Sequence, residues 1–240
     1  MLRFLKQSLQ VAYENSSRIN EENIINFVKA HFPEHHDPLM LCDLGCGDGR
    51  LAGSIASLFP QASVHGVDAP GFAMPNSEGM KIIESDLNGR LPIESATYDL
   101  TMANQVIEHL HDTDVFLEEA FRITRPGGLI VISTENAASW HNIGATLLGW
   151  QPFSLTNISG RKGGVGNPFA LHRDDGGASI PMQHRRLFTV PALTDLMAAF
   201  NGDKIRSVGA GYYPLPATVG RIEPLHAHFI TVAAVRAQAG

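Results

Sequence analysis

A glycine-rich turn between Asp43 and Gly49 carries the residues whose types and spacing point most directly to chemistry. An apolar run ends in Asp43, three glycines follow at alternate positions, and a helical pattern of apolar residues then begins. Strand, tight glycine turn and helix form the layout by which α/β proteins hold nucleotides on backbone N–H groups. A second acid, Asp68, ends the next apolar run 19 residues after Gly49. A carboxylate at that distance is the usual partner of ribose hydroxyls.

The spacing of the glycines argues against a dinucleotide ligand. A G-x-G-x-x-G fingerprint requires its third glycine at the position that Arg50 occupies here. Asp43 and Asp48 in the same turn would repel a diphosphate, whereas carboxylates accept hydrogen bonds from an ammonium group. A ligand with a ribose, a cationic end and no phosphate therefore fits better than a nicotinamide dinucleotide, and S-adenosylmethionine has these properties.

Five ordered motifs resemble those of the class I S-adenosylmethionine-dependent methyltransferases, in the small-molecule group that includes the quinone-biosynthesis enzymes. They are DLGCGDG at 43–49, GVD at 66–68, SDLNGRLP at 85–92, YDLTMANQVIEHL at 98–110 and RPGGLIVIST at 125–134. The resemblance is close over 39–136 and looser elsewhere. It implies an α/β fold with a Rossmann-like, doubly wound sheet of seven strands. The sheet would be mostly parallel with an antiparallel final strand, and helices would cover both faces.

The resemblance also implies which residues bind the cofactor. These are Asp43 at its amino-acid end, the backbone of Gly45, Cys46 and Gly47, Asp68 and Ala69 near the ribose, Asp86 and Leu87 at the adenine, Asn104 and Gln105 at the floor, and His109 in the Glu-His pair that follows the fourth strand. For Asp86 the alternative is a turn or helix cap. For His109 the alternative is a structural side chain beneath the pocket.

Predicted strands and helices alternate in the order that a doubly wound sheet requires. The sequence predicts strands at 40–44, 63–68, 81–85, 100–103, 129–133, 205–210 and 229–235. It predicts helices at 21–32, 50–59, 113–124 and 191–200. No internal repeat is visible, and 240 residues with 44% hydrophobic content suffice for one α/β core. We therefore predict a single methyltransferase domain over 1–240.

Residues 136–186 form the least regular part of the sequence. They contain Trp140, Trp150 and a glycine-rich stretch at 159–169. Because long loops in compact domains are usually functional and this one follows the fifth predicted strand, we predict a lid-like insertion at the carboxyl ends of the sheet. Such a lid would exclude water during methyl transfer. The alternatives are a surface excursion without catalytic role, and an aromatic contact with a membrane surface.

A hydroxyl acceptor would require a base for its proton. Of the eleven histidines, His184 is the predicted catalytic residue, because it lies between the predicted lid and the next helix. His141 and His172 are further candidates within the lid.

Two features that the sequence lacks limit the range of methyl acceptors and of cofactors that we expect. The sequence after the fourth strand is Asn-Gln-Val-Ile at 104–107, not the Asn/Asp-Pro-Pro-aromatic motif typical of methylation at amide or adenine nitrogens. No metal is predicted, since magnesium requires a grouped set of carboxylates. The neighbouring acids in polar loops are typical of solvated side chains; they are Asp112, Asp114, Asp174 and Asp175.

The amino-acid composition limits the binding partners and the cellular location that we expect for this protein. A net charge of −6 and a pI near 6.0 argue against nucleic acid as the main partner. No apolar run approaches the roughly 20 residues of a membrane span, and the first residues do not resemble a secretory signal. Cys42 and Cys46 have no second pair that would complete a zinc site. We expect a cytoplasmic protein without stable membrane insertion.

The predicted function is transfer of a methyl group from S-adenosylmethionine to a small-molecule or lipid-linked acceptor. Oxygen is the predicted target and carbon the alternative, and S-adenosylhomocysteine is the product. A second hypothesis is a methyltransferase-like module that binds the cofactor without turnover. The third is a nicotinamide-dependent oxidoreductase, which Arg50 and the acidic turn disfavour.

Overall fold

The computed structural model describes residues 2–33, 38–59, 61–72, 79–173 and 175–238, with side chains from residue 7 onward. The α-helices in this part are α1 (Leu2–His31), α2 (Arg50–Ala56), α3 (Thr113–Ile123), α4 (Trp140–Leu147) and α5 (Val190–Ala199). The strands are β1 (Met40–Leu44), β2 (Ser63–Asp68), β3 (Met80–Glu84), β4 (Tyr98–Asn104), β5 (Thr124–Glu135), β6 (Gly202–Ala210) and β7 (Phe229–Arg236). Asp174, one of the acids considered above, lies outside the described residues.

The strands form one seven-stranded sheet in the order β3-β2-β1-β4-β5-β7-β6. The first five in this order run parallel, and β5, β7 and β6 are antiparallel. This confirms the predicted Rossmann-like fold class. On β1, Asp43 pairs with Gly66 of β2 and Met102 of β4. Because these strands are parallel and in this register, their carboxyl ends meet at one edge of the sheet.

The chain divides into two compact units. The turn unit comprises Ile24–Ser133, Thr194–Arg206 and Val232–Gly240. The cluster unit comprises Met1–Asn23, Thr134–Leu193 and Ser207–Thr231. Among the described residues, no helix combines the length and apolarity needed to cross a bilayer.

The core of the turn unit is formed by the apolar positions of its central strands and helices. Leu41, Leu100 and Val131 from three neighbouring strands pack with Ile55 of α2 and are all essentially inaccessible to solvent. Helix α3 begins where the Asp112 side chain accepts a hydrogen bond from the Val115 N–H, a standard N-cap. The central strands read as continuous apolar runs because they are buried on both faces.

Buried amides organise the cluster unit. The side-chain nitrogen of Asn136 donates to the carbonyl oxygens of Leu225 at 2.8 Å and Ala227 at 2.9 Å. Asn142 donates to the Asn136 carbonyl at 2.9 Å and to the Ser154 Oγ at 2.9 Å, and its Oδ1 accepts from the Ser154 N–H at 3.1 Å. These bonds hold the chain just after β5 and the segment at Ser154 in place.

Helix α1 is longer than predicted, beginning at Leu2 instead of residue 21. Around the middle of the helix the buried side chains are largely polar, so hydrophobic periodicity does not detect its start. Ser16, Asn20 and Asn23 are all buried there. Asn20 accepts from the Thr231 hydroxyl at 2.8 Å, and Asn23 donates to the Gly209 carbonyl at 3.1 Å.

The segment at 136–186 is more ordered than an irregular loop. It contains α4 and short 3-10 helices at Phe153–Leu155 and Ile180–Met182. Its glycines permit close backbone packing: a Cβ on Gly163 would lie 2.1 Å from the His172 carbonyl oxygen. The glycine-rich stretch therefore packs against its own neighbours.

Candidate functional site

The glycine turn after β1 has a conformation that requires glycine at Gly45. Gly45 has φ +75°, and a Cβ there would lie 2.5 Å from Val106 Cγ2. Its N–H donates to the Val67 carbonyl at 2.7 Å, which joins the turn to β2. Gly47 is less crowded, since no described atom lies within 4 Å of the position that a Cβ would occupy there. The backbone at Gly47 can therefore be approached closely by a ligand.

Asp68 at the end of β2 is held by two backbone hydrogen bonds. Its Oδ2 accepts from the Gly47 N–H at 2.9 Å, and its Oδ1 accepts from the Ala69 N–H at 2.8 Å. A carboxylate has about four acceptor positions, so each oxygen keeps a lone pair for a further donor. The carboxylate is thus fixed in orientation and can still accept from a vicinal diol such as that of a ribose.

Asp43 is a buried carboxyl at the end of β1, with an exposed fraction of 4%. Burial, followed by the negative charges of Asp68 and Asp48, raises its pKa to about 7. Ionising the buried carboxyl of Asp43 is therefore costly. A cation close to Asp43 would offset this cost, because opposite charge favours the ionised form. The turn therefore favours a ligand with a cationic group.

Both cysteines of the chain are buried free thiols. Burial raises the pKa of Cys46 to about 12, so this thiol stays protonated at neutral pH. Its Sγ would lie 2.6 Å from a Cβ on Gly66. Cys46 thus fills the space between the turn and β2.

Asp86 caps its own turn, which is the alternative considered from the sequence. Its Oδ1 accepts from the Asn88 N–H at 2.9 Å and from Asn88 Nδ2 at 2.8 Å. Leu87 is buried beside it. The Asn88 Oδ1 accepts from the His111 N–H at 2.6 Å, which ties this turn to the segment before α3.

The residues after β4 are held by β5. Gln105 has φ +58°. Its N–H donates to the Ser133 carbonyl at 2.9 Å, and its Nε2 donates to the Ser133 Oγ at 3.1 Å. Asn104 is the last residue of β4. His109 ends a three-residue 3-10 helix (Ile107–His109).

A second group of polar side chains surrounds Glu135 in the cluster unit. Glu135 is the last residue of β5 and is 7% exposed. Nδ1 of His184 lies 3.8 Å from its Oε2, and Nε2 of His228 lies 3.8 Å from its Oε1. Burial alone would raise the pKa of Glu135, but the interaction with His228 and the charge on His184 outweigh burial and lower it to about 2. Glu135 is therefore a buried carboxylate that stays ionised.

The imidazoles around Glu135 have defined partners. Nδ1 of His184 donates to the Ser154 carbonyl at 2.7 Å. The Tyr213 hydroxyl lies 3.1 Å from both His228 Nδ1 and Ser16 Oγ. The His141 ring centroid lies 4.5 Å from that of His228. Burial, and then the charge on His228, lower the pKa of His141 well below its usual range, so this ring is neutral.

Of the histidines predicted in or near the lid, His184 and His141 lie in the Glu135 group. His172 is exposed, and its Nδ1 lies 2.8 Å from Asp175 Oδ2. Sequence reasoning missed Glu135, Tyr213 and His228. A signal for Glu135 was present, since it ends an apolar strand as Asp43 and Asp68 do. Tyr213 and His228 carry no such local signal.

Comparison with known proteins agrees with this geometry. A family model described as a methyltransferase domain matches residues 42–132. A ubiquinone biosynthesis O-methyltransferase from Mesorhizobium japonicum is 30% identical over 172 residues, which cover 67% of this chain and 67% of that protein. A malonyl-[acyl-carrier protein] O-methyltransferase from Hahella chejuensis is 30% identical over 119 residues, 44% of this chain. That match spans only 42% of the relative's length.

Solved structures share the fold. A structure from Thermotoga maritima, described as an S-adenosylmethionine-dependent methyltransferase and possible histamine N-methyltransferase, aligns with a TM-score of 0.59 at 16% identity. The alignment covers 98% of this chain and 100% of that one. The likeness to the Mesorhizobium protein extends over two thirds of both sequences, and the chain belongs to the class I S-adenosylmethionine-dependent methyltransferases.

Proposed function

We propose that this chain binds S-adenosylmethionine at the glycine turn and transfers its methyl group to an oxygen atom of a small-molecule or lipid-linked acceptor. One observation carries the proposal: the Asp68 carboxylate is fixed by the Gly47 and Ala69 N–H groups beside a turn whose Gly47 side is open. That arrangement offers acceptors for two hydroxyls next to an approachable backbone.

The residues of the turn unit fit the three parts of this cofactor. Asp68 would accept the ribose hydroxyls, and Asp43, whose burial makes it costly to ionise, would pair with the ammonium group. Leu87 offers an apolar contact for the adenine, while the Asp86 side chain caps its own turn. Asn104, Gln105 and His109 would complete the floor.

When bound, the cofactor supplies a methyl group on a positively charged sulfur. The chain's own contribution is to position the acceptor, exclude water and accept the proton that a hydroxyl loses. We assign the last task to His184, whose Nδ1 is held by the Ser154 carbonyl. Because Nδ1 carries the proton that it donates to this carbonyl, Nε2 is the basic nitrogen of the neutral ring.

Oxygen as the target is supported by the names of the relatives described above, both of which are O-methyltransferases. We also propose that the chain is organised as a single domain and that residues 136–186 act as a lid. No metal has a part in this proposal.

The test is calorimetric titration of the purified chain with S-adenosylhomocysteine, with NAD in parallel. We expect binding of the first ligand only. Asp68→Ala removes two charge-assisted hydrogen bonds, each worth about 1.5–3 kcal/mol, so the Kd should rise by about a hundredfold or more.

Glu118→Ala is the matched control, because it removes an exposed carboxylate from α3 within the same unit. It should bind like the wild type. Absence of binding to the folded wild-type chain, or equal binding by Asp68→Ala, would refute the assignment of the cofactor site.

A further inference from the structure

Helix α4 of the cluster unit exposes apolar side chains and buries a polar one, which is the reverse of the usual arrangement in a surface helix. Leu147 at its end is 82% exposed, and the C-cap residue Leu148 is 63% exposed. Asn142 of the same helix is only 1% exposed. Exposed apolar side chains that lie together mark a surface that contacts another molecule.

The buried hydrogen bonds of Asn142 keep α4 in this orientation. Its side chain donates to the Asn136 carbonyl and to Ser154 Oγ, and it accepts from the Ser154 N–H. Turning the leucines inward would break these bonds and leave buried polar groups without partners, which is costly. The exposure of Leu147 and Leu148 is therefore a fixed property of the cluster unit.

A third exposed apolar side chain, Phe169, lies next to the turn that follows α4. Its ring centroid is 5.3 Å from that of Trp150. Beside these rings the Gln151 N–H donates to the Gly166 carbonyl at 3.1 Å, and Asn167 Nδ2 donates to the Gln151 carbonyl at 2.9 Å. These bonds hold the two segments together. We call the apolar side chains at this place the apolar edge; they are Leu147, Leu148, Trp150 and Phe169.

The sequence that carries the apolar edge contains no acid. Residues 136–173 include neither aspartate nor glutamate, although the whole chain has 24 acidic residues and a net charge of −6. The same stretch includes three cationic side chains, all exposed, which are Arg161, Lys162 and Arg173. Its local charge is therefore positive, opposite to that of the whole chain.

Two contacts place these cations near the apolar edge. Nη1 of Arg173 donates to the Asn167 carbonyl at 3.0 Å, two residues before Phe169. A Cβ on Gly164 would lie 2.4 Å from Cα of Arg173, so the backbone two residues after Lys162 packs directly against Arg173. The positive charges and the apolar side chains thus belong to one region of the surface of the cluster unit.

We propose that the apolar edge binds the surface of an anionic lipid bilayer. Leu147, Leu148 and Phe169 enter the interfacial layer, and the three cations contact the lipid headgroups. Trp150 suits this layer because its indole combines an apolar ring with one polar N–H. Side chains as exposed as the two leucines protrude, and a fluid interface accepts them without a shaped pocket. The proposal goes beyond methyl transfer and does not depend on the cofactor site.

Sedimentation with vesicles tests this proposal on the whole chain. Vesicles of equal parts of phosphatidylcholine and phosphatidylglycerol should carry the chain into the pellet, whereas vesicles of phosphatidylcholine alone should carry much less. Raising the salt concentration to about 0.5 M should weaken binding to the anionic vesicles, because salt screens the charges. Binding to neither kind of vesicle, or equal binding to both, would overturn the proposal.

Replacing both leucines tests the apolar contribution. Leu147→Ser combined with Leu148→Ser should reduce partitioning onto anionic vesicles by about tenfold or more, because two apolar side chains no longer leave water. Ile222→Ser is the matched control, since Ile222 is 89% exposed in the same unit but lies outside the acid-free stretch and precedes Glu223. It should bind like the wild type. Equal losses in the control and the leucine variant would contradict the assignment to the apolar edge.

Replacing two cations tests the electrostatic contribution. Arg161→Gln combined with Lys162→Gln should weaken binding to anionic vesicles by about tenfold and leave the weak binding to neutral vesicles unchanged. Because all the substituted side chains are exposed, the urea midpoints and the affinity for S-adenosylhomocysteine should equal those of the wild type. Failure of the cofactor assignment would therefore leave this result unaffected. Full binding by the glutamine variant would rule out the proposed headgroup contact.

The fluorescence of Trp150 distinguishes a bilayer from other partners of the apolar edge. Trp140→Phe leaves Trp150 as the only tryptophan. Its emission should shift to shorter wavelength on anionic vesicles and be quenched by lipids with brominated acyl chains. Binding to polyglutamate without binding to vesicles would indicate an acidic protein partner instead. A change of elution volume on gel filtration in the leucine variant would indicate a second copy of the chain. Either result would overturn the proposal.

Discussion

At the scale of single residues, the proposed pairing of Asp43 with the ammonium group of the cofactor predicts that binding depends on pH. Burial raises its pKa to about 7, so the carboxyl is largely protonated below that pH in the free protein. Pairing with an ammonium group requires the carboxylate, and binding below pH 7 must therefore release a proton. We expect the affinity for S-adenosylhomocysteine to fall towards tenfold per pH unit between pH 7 and 5.5. Calorimetry in buffers of different ionisation enthalpy would count the released proton.

Asp43→Asn should remove this pH dependence and weaken binding at pH 7.5. The variant should also be more stable than the wild type above pH 7. The folded-state pKa lies above the ordinary value of 3.8, so ionisation of Asp43 costs stability as the pH rises from 3.8 through 7. A pH-dependent affinity that persists in Asp43→Asn would rule out Asp43 as the group responsible.

At the scale of elements, the turn between β1 and α2 permits a matched pair of glycine substitutions. A Cβ on Gly45 meets Val106 Cγ2 at 2.5 Å, and its φ is +75°. A Cβ on Gly53, in the exposed face of α2, meets nothing described within 4 Å. Gly45→Ala should lower the free energy of unfolding by about 2 kcal/mol or more, from left-handed strain and overpacking. Gly53→Ala should raise it by about 0.5–1 kcal/mol.

Urea unfolding midpoints at an unchanged m-value would measure both effects. Adding Val106→Ala to Gly45→Ala removes the methyl groups that would clash with the new Cβ. The double variant should therefore recover part of the lost free energy of unfolding. If Gly45→Ala is as stable as the wild type, the close contact with Val106 does not constrain this turn.

At the scale of the whole molecule, a ligand that binds only the folded chain stabilises it by mass action. S-adenosylhomocysteine at about 100 times its Kd should add about 2.7 kcal/mol. For a chain of this size that corresponds to a rise of about 5–10 °C in Tm. Asp68→Ala at the same ligand concentration should show little rise, and Glu118→Ala should show the full one. Equal rises in all three proteins would place the ligand away from Asp68.

The sequence by itself determined the glycine turn, the two acids at the carboxyl ends of β1 and β2, and the order of strands and helices. These features are local, since a strand, turn and helix within twenty residues specify their own geometry through periodicity and glycine positions. The family followed from the same motifs. The register of β1 with its neighbours then brought Asp43 and Asp68 to one edge.

Only the tertiary structure decided the buried polar contacts in the middle of α1 and the group around Glu135. The buried side of α1 carries Ser16, Asn20 and Asn23, whose hydrogen bonds replace the apolar contacts that a periodicity search detects. Ser16 and Tyr213 are 197 residues apart in the chain. The approach of His228 Nε2 to Glu135 Oε1, at 3.8 Å, also joins segments that are far apart in the sequence. Local sequence patterns do not encode such contacts, because they form only when distant segments pack together.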